Sequence, residues 1–275
     1  LAGTPRDRAR ALIGLGRAEL LLSGSHRAVE VLEDARDAAS EAGDPRLLAD
    51  ALGLHSRASW LAGRYGEAMH AATAAVETLD GLDDTPQLAR AVARLSQLEM
   101  LSGMPRAEER ARQAIAVARR VGDTHAELNG RTNLVVNLAN RGLTPDVAEA
   151  RAIVEQAVET GDAAEAHRCV VNMLWAAQAF YSRAELEEMV ESFRALLVGV
   201  PAAEDLDRYF ELSYVVLVDV PAGRWEAADA AKRRPMWWTG EMLWYELRGG
   251  MSLRRGELGA AARPLAELRM RALES

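Results

Sequence analysis

The stretch GRYGEA, Gly63–Ala68, returns as GRWEAA at Gly223–Ala228 and as GELGAA at Gly256–Ala261. Each copy reads glycine, any residue, a large apolar residue, two further residues and then alanine. Shorter relatives stand at Gly24–Ala28 (GSHRA) and Gly103–Ala107 (GMPRA). Glycines 24, 63, 103 and 142 are spaced by 39, 40 and 39 residues. A second ruler agrees, because the acidic turn signals Asp44, Asp84, Asp123 and Asp162 are also 39 or 40 residues apart. Two turn types alternating at about half the period mean two elements per repeat.

Those elements are helices. Alanine-rich segments with apolar residues three and four apart run the length of the chain, and β-branched runs are short. Thr4-Pro5, Asp44-Pro45, Thr85-Pro86 and Thr144-Pro145 each set a capping side chain before a proline suited to a first helical position. Thr124 with Glu127, and Ser182 with Glu185, have the spacing of a capping box. After the mid-repeat glycines, Ala28 and Ala35, Ala68 and Ala75, and Ala107 and Ala114 recur seven apart. This puts small side chains on one face of the second helix, where the first must come close. The chain is therefore read as all-α: an α-solenoid of about seven antiparallel helical hairpins, with a period of about 39–40. Their spans are 5–44, 45–84, 85–123, 124–162, 163–204, 205–238 and 239–275, forming a single domain. Register is least regular in the last three, where the turn at Tyr181–Arg183 lacks glycine and the glycine spacing from 223 to 256 shrinks to 33.

The glycine, aromatic and paired-alanine pattern is similar to the tetratricopeptide repeat (TPR), although its period exceeds the usual ~34 residues. Repeats of this length with AGDP-like boundaries resemble the helical-repeat region of large bacterial LuxR-type, ATP-binding signal-transduction regulators. That resemblance implies a right-handed superhelix whose first helices line a concave face, and a place in transcription regulation. It also implies that the chain, which starts at Leu1, is a piece of a longer protein carrying an ATP-binding domain and a helix-turn-helix.

Composition narrows the function. A net charge of -8 and a pI near 5.3 argue against a broad nucleic-acid surface. The single cysteine, Cys169, excludes an internal disulfide and a cysteine-cluster metal site, and fits a reducing, cytoplasmic setting. No apolar run approaches the ~18 residues of a membrane span. There is no P-loop and no nucleophile elbow, and the GLG at Gly14–Gly16 lies inside a helix, where glycine permits close packing. His26, His55, His70, His125 and His167 show no metal-ligand spacing and read as turn or helix-surface residues. No catalytic residue, cofactor or metal is expected.

Recognition is read from polar residues on the first helices. In ELNGRTNLVVNLAN, Asn129, Asn133, Asn137 and Asn140 follow helical spacing, although asparagine is a poor helix former. Shifting by one period brings Asn133 to Asn172 and Asn129 to Arg168. In the other direction it reaches Arg90 and Arg94, joined by Gln97, while Trp175 lies one turn beyond Asn172. Such an Arg/Asn groove suits a protein or peptide, or a small effector, because guanidinium groups hold carboxylates bidentately. The same residues are equally suited to solvation or to bridging neighbouring repeats. The function read from this is a non-catalytic binding or sensing module. The alternative is a scaffold for self-association.

The densest aromatic run, KRRPMWWTGEMLWYEL at Lys232–Leu247, divides in two. Trp244, Leu247 and Met251 have core spacing, and Trp225 takes the place of Tyr65 in the repeat motif. Trp237 and Trp238 fall in a turn before a helix capped by Thr239, where they offer cover, a subunit contact or a ligand contact.

Overall fold

The computed structural model describes residues 3–22, 25–201, 211–230 and 238–274; among them are thirteen α-helices with defined bounds, the helical residues 211–214, one π-helical turn and no strand. In chain order the helices are α1 (Pro5–Leu22), α2 (Ser25–Glu41), α3 (Pro45–Leu61), α4 (Tyr65–Thr78), α5 (Pro86–Leu101), α6 (Ala107–Val121) and α7 (Thr124–Asn140). They continue as α8 (Val147–Glu159), α9 (Ala163–Ala177) and α10 (Arg183–Leu197). The π-helical turn Val215–Asp219 precedes α11 (Trp225–Ala230), α12 (Trp238–Arg254) and α13 (Leu258–Glu274). The chain divides into two compact units, Leu1–Asn137 and Leu138–Ser275. No described helix is long and apolar enough to cross a membrane.

In the first unit α1 packs on α2, α3 on α4 and α5 on α6, and α2 and α4 each pack on the helix that follows. This nearest-neighbour stacking of hairpins is an α-solenoid. Its seam is alanine: Ala28, Ala35, Ala68, Ala75, Ala107 and Ala114 all have 0% exposure. Backbone approach is closer still at Gly130 on α7, where an added Cβ would lie 2.9 Å from Ile115 Cγ1 and 3.3 Å from the Ala111 carbonyl oxygen of α6. Gly16 plays the same part on α1, since a Cβ there would lie 2.5 Å from Leu32 Cδ2 of α2. Its neighbour Gly14 faces open space.

The helix starts follow the caps, with shifts at α7, α8 and α12. Asp44 accepts from the backbone N–H groups of Arg46 and Leu47, and Thr85 accepts from that of Leu88, each ahead of a proline. Ser182 and Glu185 form the reciprocal capping box, which closes the glycine-free turn before α10. The fourth proline pair behaves differently. α8 starts at Val147 and is capped by Asp146 on the Glu149 N–H at 2.9 Å, leaving Thr144-Pro145 in the preceding turn. Nor is Thr124 the cap of α7. Asp123 caps it by accepting from the Ala126 N–H at 3.0 Å, and a carboxylate held there also suits the helix dipole. Glu127 is instead paired with Arg119 at 2.8 Å.

In the second unit α8 packs on α9, α10 on both, and α12 on α13. Repeat regularity fails at the π-helical turn, where the Val220 N–H donates to the Val215 carbonyl at 2.9 Å. Arg224 holds this segment by donating to Asp219 and Glu187, both at 2.8 Å. Leu212, Val220, Leu243, Leu247 and Met251 form the local core, with Trp175, Trp225 and Trp244 packed against it. Trp244 also meets Tyr245 edge-on, with centroids 5.3 Å apart. Trp225 and Trp244 are packing residues, as the motif and the spacing predict.

Candidate functional site

The first helices of the first unit carry a ladder of polar side chains that reach back one repeat. From α5, Arg94 Nη2 donates to the Ser56 carbonyl of α3 at 2.9 Å and its Nε donates to Ser56 Oγ at 3.0 Å. Its third bond, from Nη1 to Gln97 Oε1, is 2.8 Å long, and the guanidinium stands 5.9 Å from the centre of the Trp60 ring. From α7, Asn133 Nδ2 repeats the move, donating to the Ala93 carbonyl of α5 at 3.0 Å and to Asn129 Oδ1 at 3.1 Å. Ser56 and Asn133 have 0% exposure, Asn137 6% and Gln97 9%. A buried amide is stabilised only when its bonds are made, and Asn133, like Ser56, makes them across repeats. Gln97 instead bonds Arg94 on its own helix, and the buried Asn137 Nδ2 has no hydrogen-bond partner among the described residues.

Arg90 braces the same stack from a more open position. Its Nε donates to Asp123 Oδ2 at 2.7 Å, with side-chain exposures of 47% for Arg90 and 4% for Asp123. One carboxylate thus caps α7 and holds a guanidinium of α5. Of the predicted first-unit residues, Asn133, Asn137 and Gln97 are buried, whereas Arg90, Arg94 and Asn129 keep part of their surface.

The remaining predicted residues belong to the second unit. Arg168 on α9 grips Glu165 with both ends of its fork, at 2.8 and 2.6 Å, and Glu165 is 2% exposed. Asn172, one turn on, is half-buried. Trp175 Nε1 donates to Ser213 Oγ at 3.3 Å while its ring packs on the local core, so this indole is chiefly structural. Trp238 is the first residue of α12, and Thr239 lies inside that helix rather than ahead of it. Trp237 lies outside the described residues.

Two histidines depart from the expected surface positions. His167 is 3% exposed, with Nδ1 2.8 Å from the Ala163 carbonyl. His55 is 6% exposed, and neither ring nitrogen has a hydrogen-bond partner. Burial pushes its imidazole below the ordinary histidine value of 6.5, opposed by the carboxylate of Glu33. The signal for His55 lay in aligning LHSRASWLAG (54–63) with RLSQLEMLSG (94–103), which sets Ser56 on Ser96, Gly63 on Gly103 and His55 on Leu95. Histidine stands where the next repeat has a leucine, itself 3% exposed and packed among Ala68 and Ala72.

No protein-family model matches the sequence, and no curated protein matches it. Solved structures do match. A Rap protein complexed with competence and sporulation factor is similar with a TM-score of 0.69 and 13% identity, covering 97% of this chain and 75% of its own. The apo form of RapI is similar with a TM-score of 0.61 and 12% identity, covering 97% and 99%. Nearly identical TPR-like repeats from Podosopora anserina are similar with a TM-score of 0.53 and 19% identity, covering 72% and 98%. At these identities the likeness concerns the fold, which is that of TPR-like helical-repeat solenoids.

Proposed function

We propose that the chain is the non-catalytic recognition module of a bacterial regulator, binding a protein or peptide on the concave surface made by its first helices. The observation that carries this reading is the fixed guanidinium pair of the first unit. Arg90 and Arg94 are held by buried partners, Asp123 and Ser56, yet keep part of their own surface. Holding an arginine in place before a ligand arrives removes much of the ordering cost of binding. Asn129 on α7, also partly exposed, adds an uncharged donor and acceptor suited to a peptide backbone. The fold supports the same reading, because a Rap protein of this fold is found complexed with competence and sporulation factor. A place beside an ATP-binding domain and a helix-turn-helix is the setting in which such a module would act.

The test is a random peptide library panned against the 275-residue protein. Selected peptides should carry carboxylates, and should lose at least about ten-fold in affinity on Arg90→Ala with unchanged circular dichroism. Peptides indifferent to Arg90→Ala and Asn129→Ala alike would refute the surface. Light scattering over a concentration series separates the scaffold alternative, which requires mass to grow with concentration.

A further inference from the structure

A trough of about 450 Å³ lies in the first unit between the second helices α2 and α4, with α3 as its floor. One wall carries Glu33 and Asp37, the other Glu67 and His70, and the nearly buried Leu52 and His55 line the floor. From Glu67 to Thr78 the α4 wall extends about 16 Å at 1.5 Å per residue. The charge is lopsided. Glu33 and Glu67 are half exposed; Glu67 is paired with Arg64 at 3.5 Å, and the one arginine on the walls, Arg36, is committed to Asp37 at 2.9 Å. This leaves Glu33 as the carboxylate without an arginine partner among the described residues. A buried imidazole left without partners loses its hydration and gains no bond in return, which works against the fold. Its neighbour in the next repeat shows that leucine fills the seat without that penalty. The trough therefore holds a polar group whose partner is not supplied by the described chain.

His55 Nε2 lies 3.8 Å from Glu33 Oε1, and in the Nδ1–H tautomer both of these atoms are acceptors. Among the described residues no three His, Cys, Asp or Glu side chains are placed to hold a metal ion. An organic cation fits better. The N–H fork of one guanidinium spans acceptors at that separation, and its stem covers Leu52. A neutral imidazole accepts at one nitrogen and donates at the other. A guanidinium has no acceptor for that second N–H, whereas the carbonyl of a peptide unit does. We propose that this trough binds an arginine side chain of a partner polypeptide, with Glu33 and His55 as its recognition pair and the polypeptide running along the α4 wall. The site shares no residue with the first-helix surface, so the two readings stand or fall separately.

The test uses the whole 275-residue protein with 15N-labelled histidine. It is titrated with acetyl-Gly-Ala-Arg-Ala-Gly-amide and with the citrulline counterpart, which replaces the guanidinium by an uncharged urea. The His55 ring signals, identified by their loss in His55→Leu, should move saturably with the arginine peptide. The citrulline peptide and the Glu33→Gln variant should each bind about ten-fold more weakly or worse. Agmatine, a guanidinium on a free stem, should be weaker than the peptide because it brings no carbonyl. Absence of a saturable His55 shift, equal binding of citrulline, or indifference to Glu33→Gln overturns the proposal. Agmatine binding as tightly as the peptide overturns the polypeptide occupant, and zinc chloride saturating the ring signals at micromolar levels overturns the organic cation.

Discussion

Ala28, Ala35, Ala68, Ala75, Ala107 and Ala114 close the hairpins of the first unit with no exposed surface, and the second unit begins in the same way with Ala150 and Ala157 on α8. On α10 the corresponding places, 36 residues on, are Leu186 and Phe193, at 5% and 1% exposure. Beyond them come the π-helical turn and the core flanked by Trp175, Trp225 and Trp244. Small seam residues let two helices approach closely, so the geometry and the period repeat. Bulky ones hold the helices apart, and the chain adjusts with an inserted residue and a glycine spacing of 33. Regular period and alanine seam are one property seen twice.

That contrast is broken most strongly by Phe193→Ala. The seat is shaped for a ring, so installing the first unit's seam residue should leave a cavity and remove about 3–5 kcal/mol. Amide hydrogen exchange should rise in α9 and α10 above all, because stacked repeats open piecewise. Protection unchanged there would show that the seat is loosely packed. The converse substitution, Ala114→Leu, forces a large side chain into the tight seam and should destabilise by about 1–3 kcal/mol, with faster exchange on α5 and α6. Urea unfolding of both variants compares the two kinds of seam directly.

A smaller effect is expected from Asp123→Ala, about 1–2 kcal/mol, because the cap of α7 and the partner of Arg90 disappear together. A double-mutant cycle with Arg90→Ala isolates the pair, and strict additivity would show that the brace contributes nothing. The mildest probe is pH. Burial holds the folded-state value of His55 below 6.5, so the unfolded chain binds the proton more readily. The stability tied to neutral His55 is complete above 6.5 and falls away as the pH drops through the lowered folded value. His55→Leu should unfold at higher urea concentration and flatten that acid-side loss. A wild-type acid limb retained in the variant would assign the loss to other groups.

The repeat was legible because its punctuation is chemical: a glycine at φ 80° such as Gly63, or a carboxylate cap such as Asp44, permits few substitutes. The alanine seam was legible for the same reason, since nothing larger fits at Ala68. The polar ladder was legible only in part. Asn133 and Asn129 are both asparagines on one helix, yet the first is fully buried and the second only half so. Each residue turns a helix by about 100°, and a polar letter reads alike whether it meets water or a carbonyl of the neighbouring repeat. His55 was hidden by the same ambiguity. Only the leucine at the equivalent place exposes it.

The bonds from Arg94 to Ser56 and from Asn133 to Ala93 each join positions one repeat apart, 38 and 40 residues along the chain. Pulled from its ends, the first unit would carry load through these bonds in series, each feeling the full force. Rupture of one rung would release the chain it spans, on the order of 130 Å when extended. The ladder thus makes each hairpin a separate link with its own breaking strength, and the weakest rung sets where the spring first gives.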